Sequence, residues 1–573
     1  MAHLIRFMRG YVRPLWRWYL AGTLAVLLTN WLAVQVPVRM AAGLDALRVG
    51  NTAGVAHLAM MIGIIGLAII ATRTASRVWF FTPGRLAEFE LREALFAHCL
   101  RLQPEFYARF ATGDLLSRLT TDVTFARACA GFALLQAINV IGALGLGTWQ
   151  MAQISLPLTV ACALPVVIAF AGMQLGAGKL FQMQRRAQAQ LAALSDELLG
   201  TLQGIATVQA FTVEAEFGRR LELRASDLRT SNLGMARIRA VTFPLLTVAG
   251  GVSIAVIVGV GGPLAIAGET SPGQLAAFVA LVVYVLVPMR IMGWLVPLFQ
   301  RSAASLERIH VVLDAAPERP DADVLAAFPT AVGPALSLRG LTFAYPDAPD
   351  RPVLHDLTVD IPAGATVGIY GPTGSGKTTL LRVLSRIRNP PPQSCFAAGV
   401  DVRTIDLAQW RKNLTLVPQS PFLFSETIRE NVGMGAGEAD IRAAVLASSL
   451  DPDLEALPDG MDTIVGERGI VLSGGQRQRV ALARGLVRHT PLVLLDDVLS
   501  AVDHRTEQEL IAMLRARHGA TRIVVSHRLS ALEHADLVLV LDGGRIVDQG
   551  VHASLIARAG PYRDAWLTQR EAS

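Results

Sequence analysis

Charge is what this 573-residue chain most lacks: only 17% of its residues are Asp, Glu, Lys or Arg, against about 25% in an average soluble domain. A disordered chain, or one that coats nucleic acid, needs more, so both are excluded. Lysine is scarcer still. Lys179, Lys377 and Lys412 are the three in the chain, so the 52 basic residues are nearly all arginine, and their surplus over 46 acids is too small to imply nucleic acid. Cysteine is rare as well: Cys99, Cys129, Cys162 and Cys395 share neither metal-ligand nor disulfide spacing and read as buried, reduced thiols. No cleavable signal peptide is expected. Residues 1–18 hold Arg6, Arg9, Arg13 and Arg17, and no small-residue cleavage site follows the apolar stretch after them.

Apolar residues make up 52% of the chain, and most uncharged runs fall before about residue 300. A bilayer core of about 30 Å takes about 20 apolar residues as helix. Six stretches qualify: 18–38, 55–72, 131–151, 154–176, 241–267 and 275–299, the last interrupted by Arg290. Basic residues are retained on the cytoplasmic side. The arginine-rich start is therefore placed inside, with the two long connections 73–130 and 179–240; the first alone carries eight arginines, Arg73, Arg77, Arg85, Arg92, Arg101, Arg109, Arg118 and Arg127. Both termini are expected in the cytoplasm. Connections of that length seldom lack structure, so the membrane helices should continue into the cytosol and turn there. Turn signals place the tips at Thr112-Gly113-Asp114 and around Phe211-Thr212-Val213-Glu214. Polar groups inside the spans are few: Asn30, Gln35, Asn139, Gln174 and Arg290. Such groups face the bundle interior or a water-filled path, or hydrogen-bond between helices.

Between Asp314 and Pro334 the chain turns rich in Pro, Ala and Asp without helical or strand period, as an exposed boundary does. Beyond it strand-like runs alternate with helical ones, the pattern of a mostly parallel sheet. After the strand ending Val367-Gly368-Ile369-Tyr370 comes Gly371-Pro372-Thr373-Gly374-Ser375-Gly376-Lys377-Thr378, which fits the phosphate-binding loop G-x-x-x-x-G-K-[ST]. Glycines let backbone amides turn inward around phosphate oxygens, and the following helix points its positive end at them. Lys377 adds a point charge, and the Thr378 hydroxyl is placed to ligate Mg2+. A second strand, Leu492-Val493-Leu494-Leu495, ends in Asp496, the place for a carboxylate that holds Mg2+ through water.

About twenty residues before Asp496 stands Leu472-Ser473-Gly474-Gly475-Gln476-Arg477-Gln478-Arg479. On this segment the chain resembles the ATP-binding cassette (ABC) transporters, whose signature is LSGGQ, and the resemblance covers nearly its whole length. Tyr345 in FAYPD matches the adenine-stacking loop and Gln419 in LVPQSPFLF the Q-loop. Val465-Gly466-Glu467-Arg468-Gly469 precedes the signature, Ser500-Ala501-Val502-Asp503 matches the D-loop, and His527 in VVSHRLS the switch histidine. In the membrane half, TGDLLSRLTTDV from Thr112 and GETSPGQLAAFVALV from Gly268 look like the six-helix exporter branch.

The resemblance implies an all-α membrane domain (1–315) of six helices with long cytosolic extensions, a linker (316–334) and an α/β P-loop ATPase domain (335–573), in the inner (cytoplasmic) membrane. It implies ATP and Mg2+ as cofactors: Tyr345, Gly371, Gly374, Ser375, Gly376, Lys377, Thr378 and Thr379 on the nucleotide of this chain's own loop, and Thr378, Gln419 and Asp496 around the metal. Asp497, His527 and Gln419 would be the catalytic groups. In the family two cassettes sandwich two ATP molecules head to tail, so Ser473, Gly475 and Gln476 would serve a partner's nucleotide, and a second half-transporter is required. The cytosolic tips would couple cassette closure to the helices.

This copy departs from the pattern at one position. Where the family carries glutamate after the Mg2+ aspartate, here stands Asp497, one methylene shorter. Misplacing a catalytic group by about 1 Å can cost on the order of 100-fold in rate. An intact signature beside a shortened carboxylate resembles the degenerate-site subunit of heterodimeric exporters. The alternatives are a regulatory half whose partner does all hydrolysis, a homodimer with slow hydrolysis, and an exporter-fold siderophore importer. The cargo, whether small molecule, lipid or peptide, is not written in these motifs.

Overall fold

A computed structural model describes residues 2–317, 326–329, 333–466, 469, 471–498, 507–508, 510–512 and 519–571. The chain divides into two compact units, Met1–Pro317 and Glu318–Ser573. The first holds six helices long and apolar enough to cross a membrane: α1 (Ala2–Arg48), α2 (Thr52–Cys99), α3 (Thr112–Ile154), α4 (Leu156–Gln203), α5 (Glu214–Ile266) and α6 (Pro272–Leu313). At 1.5 Å per residue a helix of 48 residues is about 70 Å long, more than twice a bilayer core. The helices therefore do extend far past the lipid. Their internal prolines, such as Pro37, Pro83, Pro165 and Pro288, are tolerated because neighbouring helices re-satisfy the freed backbone groups.

Side-chain pairs fix the registers. Tyr19 packs edge-on against Phe80, ring centroids 5.6 Å apart, and the Thr29 hydroxyl donates to Thr72 across 2.9 Å. By these pairs residues 18–38 of α1 lie level with about 63–83 of α2, which overlaps the expected span 55–72; the helix α2 contains that span and is apolar enough to cross a membrane.

The first helix tip differs from expectation. Thr112, Gly113 and Asp114 form the first turn of α3; the reversal lies ahead of them, at Leu100–Ala111, around the single turn Pro104–Arg109. The second tip falls at Gly204–Val213, where Thr212 takes φ +54°. Of the cysteines, Cys129, Cys162 and Cys395 are buried, Cys99 is half-buried, and all four are free.

The second unit is built on two sheets. β1 (Leu336–Ala344), β2 (Pro352–Ile361), β4 (Cys395–Ala397) and β5 (Val400–Asp401) form an antiparallel sheet in the order β2-β1-β4-β5. The other runs β10-β9-β3-β8-β7-β6, from β3 (Thr366–Tyr370), β6 (Leu414–Val417), β7 (Leu492–Asp496), β8 (Thr521–Val525), β9 (Leu537–Asp542) and β10 (Arg545–Gly550); only β10 is antiparallel to its neighbour. Parallel strands are buried on both faces, which is why β3 and β7 read as largely continuous apolar runs. β3 is followed by α7 (Lys377–Leu384), and a separate helical layer carries α8 (Glu438–Ala447) and α9 (Gly474–Leu486). The carboxyl ends of β3, β8 and β7 lie side by side, the place where open α/β sheets bind ligands.

Candidate functional site

The loop 371–376 leaves the end of β3 and turns into α7 through two glycines in the left-handed region, Gly374 at φ +85° and Gly376 at +99°. Gly376 sits at the N-terminal cap of α7, and a Cβ there would come within 2.7 Å of Leu354. A Cβ on Gly371 would lie 2.1 Å from the carbonyl oxygen of Leu541. The backbone can therefore close this cradle only with hydrogen at those positions. Lys377 folds back into it, Nζ donating to the carbonyls of Gly371 (2.7 Å) and Pro372 (2.8 Å). Burial pushes its ammonium below the usual lysine range, against the opposing pull of Asp497 and Asp496.

Two strands away, Asp496 ends β7 at 4% exposure and accepts from the Thr378 hydroxyl across 3.2 Å. Burial raises its pKa, the Thr378 hydrogen bond lowers it, and the charge of Asp497 raises it again. Asp497 follows at φ +51°, also 4% exposed, its amide donating to Val525 O. Its carboxylate accepts from Gln419 Nε2 at 3.3 Å and from the His527 amide at 3.4 Å. That carboxylate thus joins the ends of β7 and β8 to the loop after β6.

One cavity of about 280 Å3 gathers nine of the expected residues: Gly374, Gly376, Lys377, Thr378, Thr379, Gln419, Asp496, Asp497 and His527. Tyr345 stands beside it, its hydroxyl 3.0 Å from Thr379 Oγ1, with the Arg388 guanidinium 5.4 Å from its ring centroid. The signature is elsewhere. Ser473 caps α9 in a reciprocal box with Gln476, and neither they nor Gly475 line the cavity. Glu467, Arg468 and the segment Ser500-Ala501-Val502-Asp503 lie outside the described residues.

One residue joins the site that sequence reasoning gave no role. Gln478, buried in α9, donates to the carbonyls of Gln419 (3.0 Å) and Asp497 (3.4 Å). Its place two residues after Gln476, the last residue of the signature, is the available signal.

The site fits a nucleotide and its metal. Ser375, 2% exposed, leaves its hydroxyl without a hydrogen-bond partner among the described residues at the heart of the cradle. Mg2+ is typically held by one or two carboxylates together with substrate phosphates. One carboxylate and one hydroxyl converge here.

The comparisons with known proteins agree with this geometry. Residues 19–289 match the family model described as "ABC transporter transmembrane region", and residues 354–500 the one described as "ABC transporter". The chain is 31% identical, over 100% of its length and 98% of the relative's, to a probable multidrug resistance ABC transporter ATP-binding/permease protein of Bacillus subtilis, YheI. It is 32% identical to the multidrug resistance-like ATP-binding protein MdlA of Escherichia coli, covering 98% of this chain and 95% of that one. Among solved structures, a bacterial Atm1-family ABC exporter with ATP bound superposes with a TM-score of 0.80 at 25% identity, over 96% of this chain and 99% of the other.

Proposed function

This chain belongs to the ABC transporter family, and from that premise we propose that it is the half of a heterodimeric exporter whose own phosphate cradle holds ATP but turns it over slowly. The membership makes it a multi-pass membrane protein, an exporter-type half-transporter that works as a dimer and couples ATP hydrolysis to transport. The heterodimer, the slow site, the residue roles and the inner membrane belong to the proposal.

In this reading the loop amides and Lys377 hold the β- and γ-phosphates, Thr378, Asp496 and Gln419 the Mg2+, and Tyr345 the adenine. When bound, the metal neutralises charge on the phosphate oxygens. Ser473, Gly475 and Gln476 reach no cradle of their own chain, which suits service to a partner's nucleotide. The observation that carries the slow site is the bracing of Asp497. A catalytic carboxylate must reach the attacking water, yet this one is a methylene short and is already held by Gln419 and the His527 amide. His527 would meet the γ-phosphate, and the partner would supply the glutamate for the active site.

Asp497→Glu tests it. In the purified, reconstituted complex the exchange should raise ATP turnover about tenfold or more, since about 1 Å of reach is worth on the order of 100-fold. Unchanged turnover in that variant, or brisk transport-coupled hydrolysis by this chain without a second kind of subunit, would sink the reading.

A further inference from the structure

The last helix of the second unit reaches back to the nucleotide cavity. α10 (His552–Ala557) and α11 (Pro561–Glu571) follow β10. Tyr562, in the first turn of α11, is 1% exposed; its ring meets Tyr370 edge-on at 5.6 Å, and its hydroxyl lies 2.8 Å from His552 Nδ1. Trp566, one turn further, stands edge-on to the same imidazole at 4.8 Å. Tyr370 is the last residue of β3, directly before Gly371. The helix is therefore anchored at the foot of the phosphate loop. Two turns beyond Tyr562, on the same face, comes Gln569.

Gln569 grips the turn that carries His527. Its Nε2 donates to the His527 carbonyl across 2.8 Å, and its Oε1 accepts from the Leu529 amide across 3.0 Å. The other amides of the turn are engaged as well: Ser526 N donates to Ile369 O at 3.3 Å, His527 N to the Asp497 carboxylate at 3.4 Å, and Arg528 N to Ser526 Oγ at 3.0 Å. Buried Glu507 accepts from the side chains of Arg528 and Ser530. The imidazole itself lines the cavity and, among the described residues, makes no hydrogen bond, ion pair or ring contact. The direction in which it leaves the chain is thus set by its own backbone, whose N–H is held by Asp497 and whose C=O is held by Gln569.

We infer that Gln569 is a positioning residue of the nucleotide site: through the His527 turn it aims the imidazole at the place of the γ-phosphate. This rests on the role given to His527 under the proposed function and extends it to α11. A carboxamide suits the task, because its donor and acceptor lie side by side and can take one C=O and one N–H of the same turn. Without it those two backbone groups lose their partners, which such groups seldom do, and the turn must shift to find others. The adenine and the β-phosphate are held elsewhere, by Tyr345, Lys377 and the loop amides. Loss of Gln569 is therefore a loss of preference for ATP over ADP.

Photolabelling of this chain by an azido-adenine ATP probe, in the purified transporter with Mg2+ on ice, tests this with unlabelled ATP or ADP as competitor. The label marks the chain whose adenine pocket it enters, whatever the partner. Gln569→Leu, close in volume, should raise the ATP concentration for half-competition about tenfold, the worth of one hydrogen bond to a charged group, and leave that of ADP within about twofold. His527→Ala should do the same, and the double variant should be no weaker than His527→Ala alone, since both changes remove one contact. Equal losses for ATP and ADP would make Gln569 a prop of the fold and overturn the proposal, as would unchanged ATP competition or losses that multiply in the double variant. If His527→Ala itself leaves the preference for ATP intact, the role of His527 fails and this inference with it. No turnover is measured, so the slow site stands or falls separately, in the Asp497→Glu experiment.

Discussion

Asp114, in the first turn of α3, and Arg308, near the end of α6, close an ion pair of 2.7 Å across 194 residues of sequence. The other carboxylate oxygen accepts from Arg118 Nε at 2.9 Å, and Arg118 in turn donates to Arg308 O at 2.7 Å and lies over the Phe110 ring. Arg308 also faces Asp122, which accepts from Ser305. Both oxygens of Asp114 are thus engaged within the membrane unit, bracing α3 to α6.

Reversing that charge should loosen the brace. Asp114 and Arg308 are partly exposed, so their coupling in a double-mutant cycle should be about 0.5–1 kcal/mol. Asp114→Arg should lower the melting temperature of the purified protein, and adding Arg308→Asp should recover part of the loss. No recovery would mean that the pair contributes nothing to the packing of α3 on α6.

The phosphate cradle should not tolerate a methyl group. Gly376→Ala would force an L-residue to φ +99° and push its Cβ against Leu354, a strain of about 1–3 kcal/mol. Gly371→Ala would meet the Leu541 carbonyl. Each exchange should weaken binding of a fluorescent ATP analogue by about tenfold or more, while Gly399→Ala, also at positive φ but with nothing near it, should leave that binding unchanged. Equal losses in all three would show that the cradle's tight fit is not what matters.

How much of this was legible in the sequence depended on whether a function sat in neighbouring residues. The phosphate loop did: its positive-φ glycines, lysine and hydroxyl are consecutive, because one turn of backbone has to do the work. The exclusion of Ser473, Gly475 and Gln476 from the cavity followed from the resemblance, not from spacing. Asp114–Arg308 and the Gln478 bridge were not legible, since each joins segments that only tertiary packing brings together.

The pair Asp496–Asp497 makes the cassette, free of Mg2+ and nucleotide in EDTA, sensitive to pH. Burial raises the Asp496 pKa above its ordinary 3.8, so the folded state prefers the neutral acid, and the stability this confers is present at low pH and lost as pH rises through the raised value. At neutral pH the wild type therefore carries a buried charge beside another. Asp496→Asn should raise the melting temperature by a few degrees at pH 7 in EDTA, with the gain disappearing as the pH falls toward the ordinary aspartate range, and should abolish the stabilisation that Mg-ATP gives the wild type. A gain of the same size at every pH would rule out the buried charge as its source.

At the opposite end of the membrane helices, α1 and α6 are tied by a carboxylate. Asp45 accepts from the Ser271 hydroxyl at 2.5 Å and the Gly273 amide at 3.2 Å, placing negative charge at the positive end of α6, a contact of about 0.3–1 kcal/mol. The helices approach so closely that a Cβ on Gly273 would lie 2.3 Å from Ala41 O and 2.7 Å from Asp45 Oδ1. Gly273→Ala should therefore cost about 1–3 kcal/mol, as overpacking does, and more than Asp45→Asn, which keeps one acceptor for Ser271. Thermal melts of the two variants in one detergent would order them. If Gly273→Ala melts with the wild type, the helices part at this end without penalty, and the carboxylate tie cannot be what holds them closed.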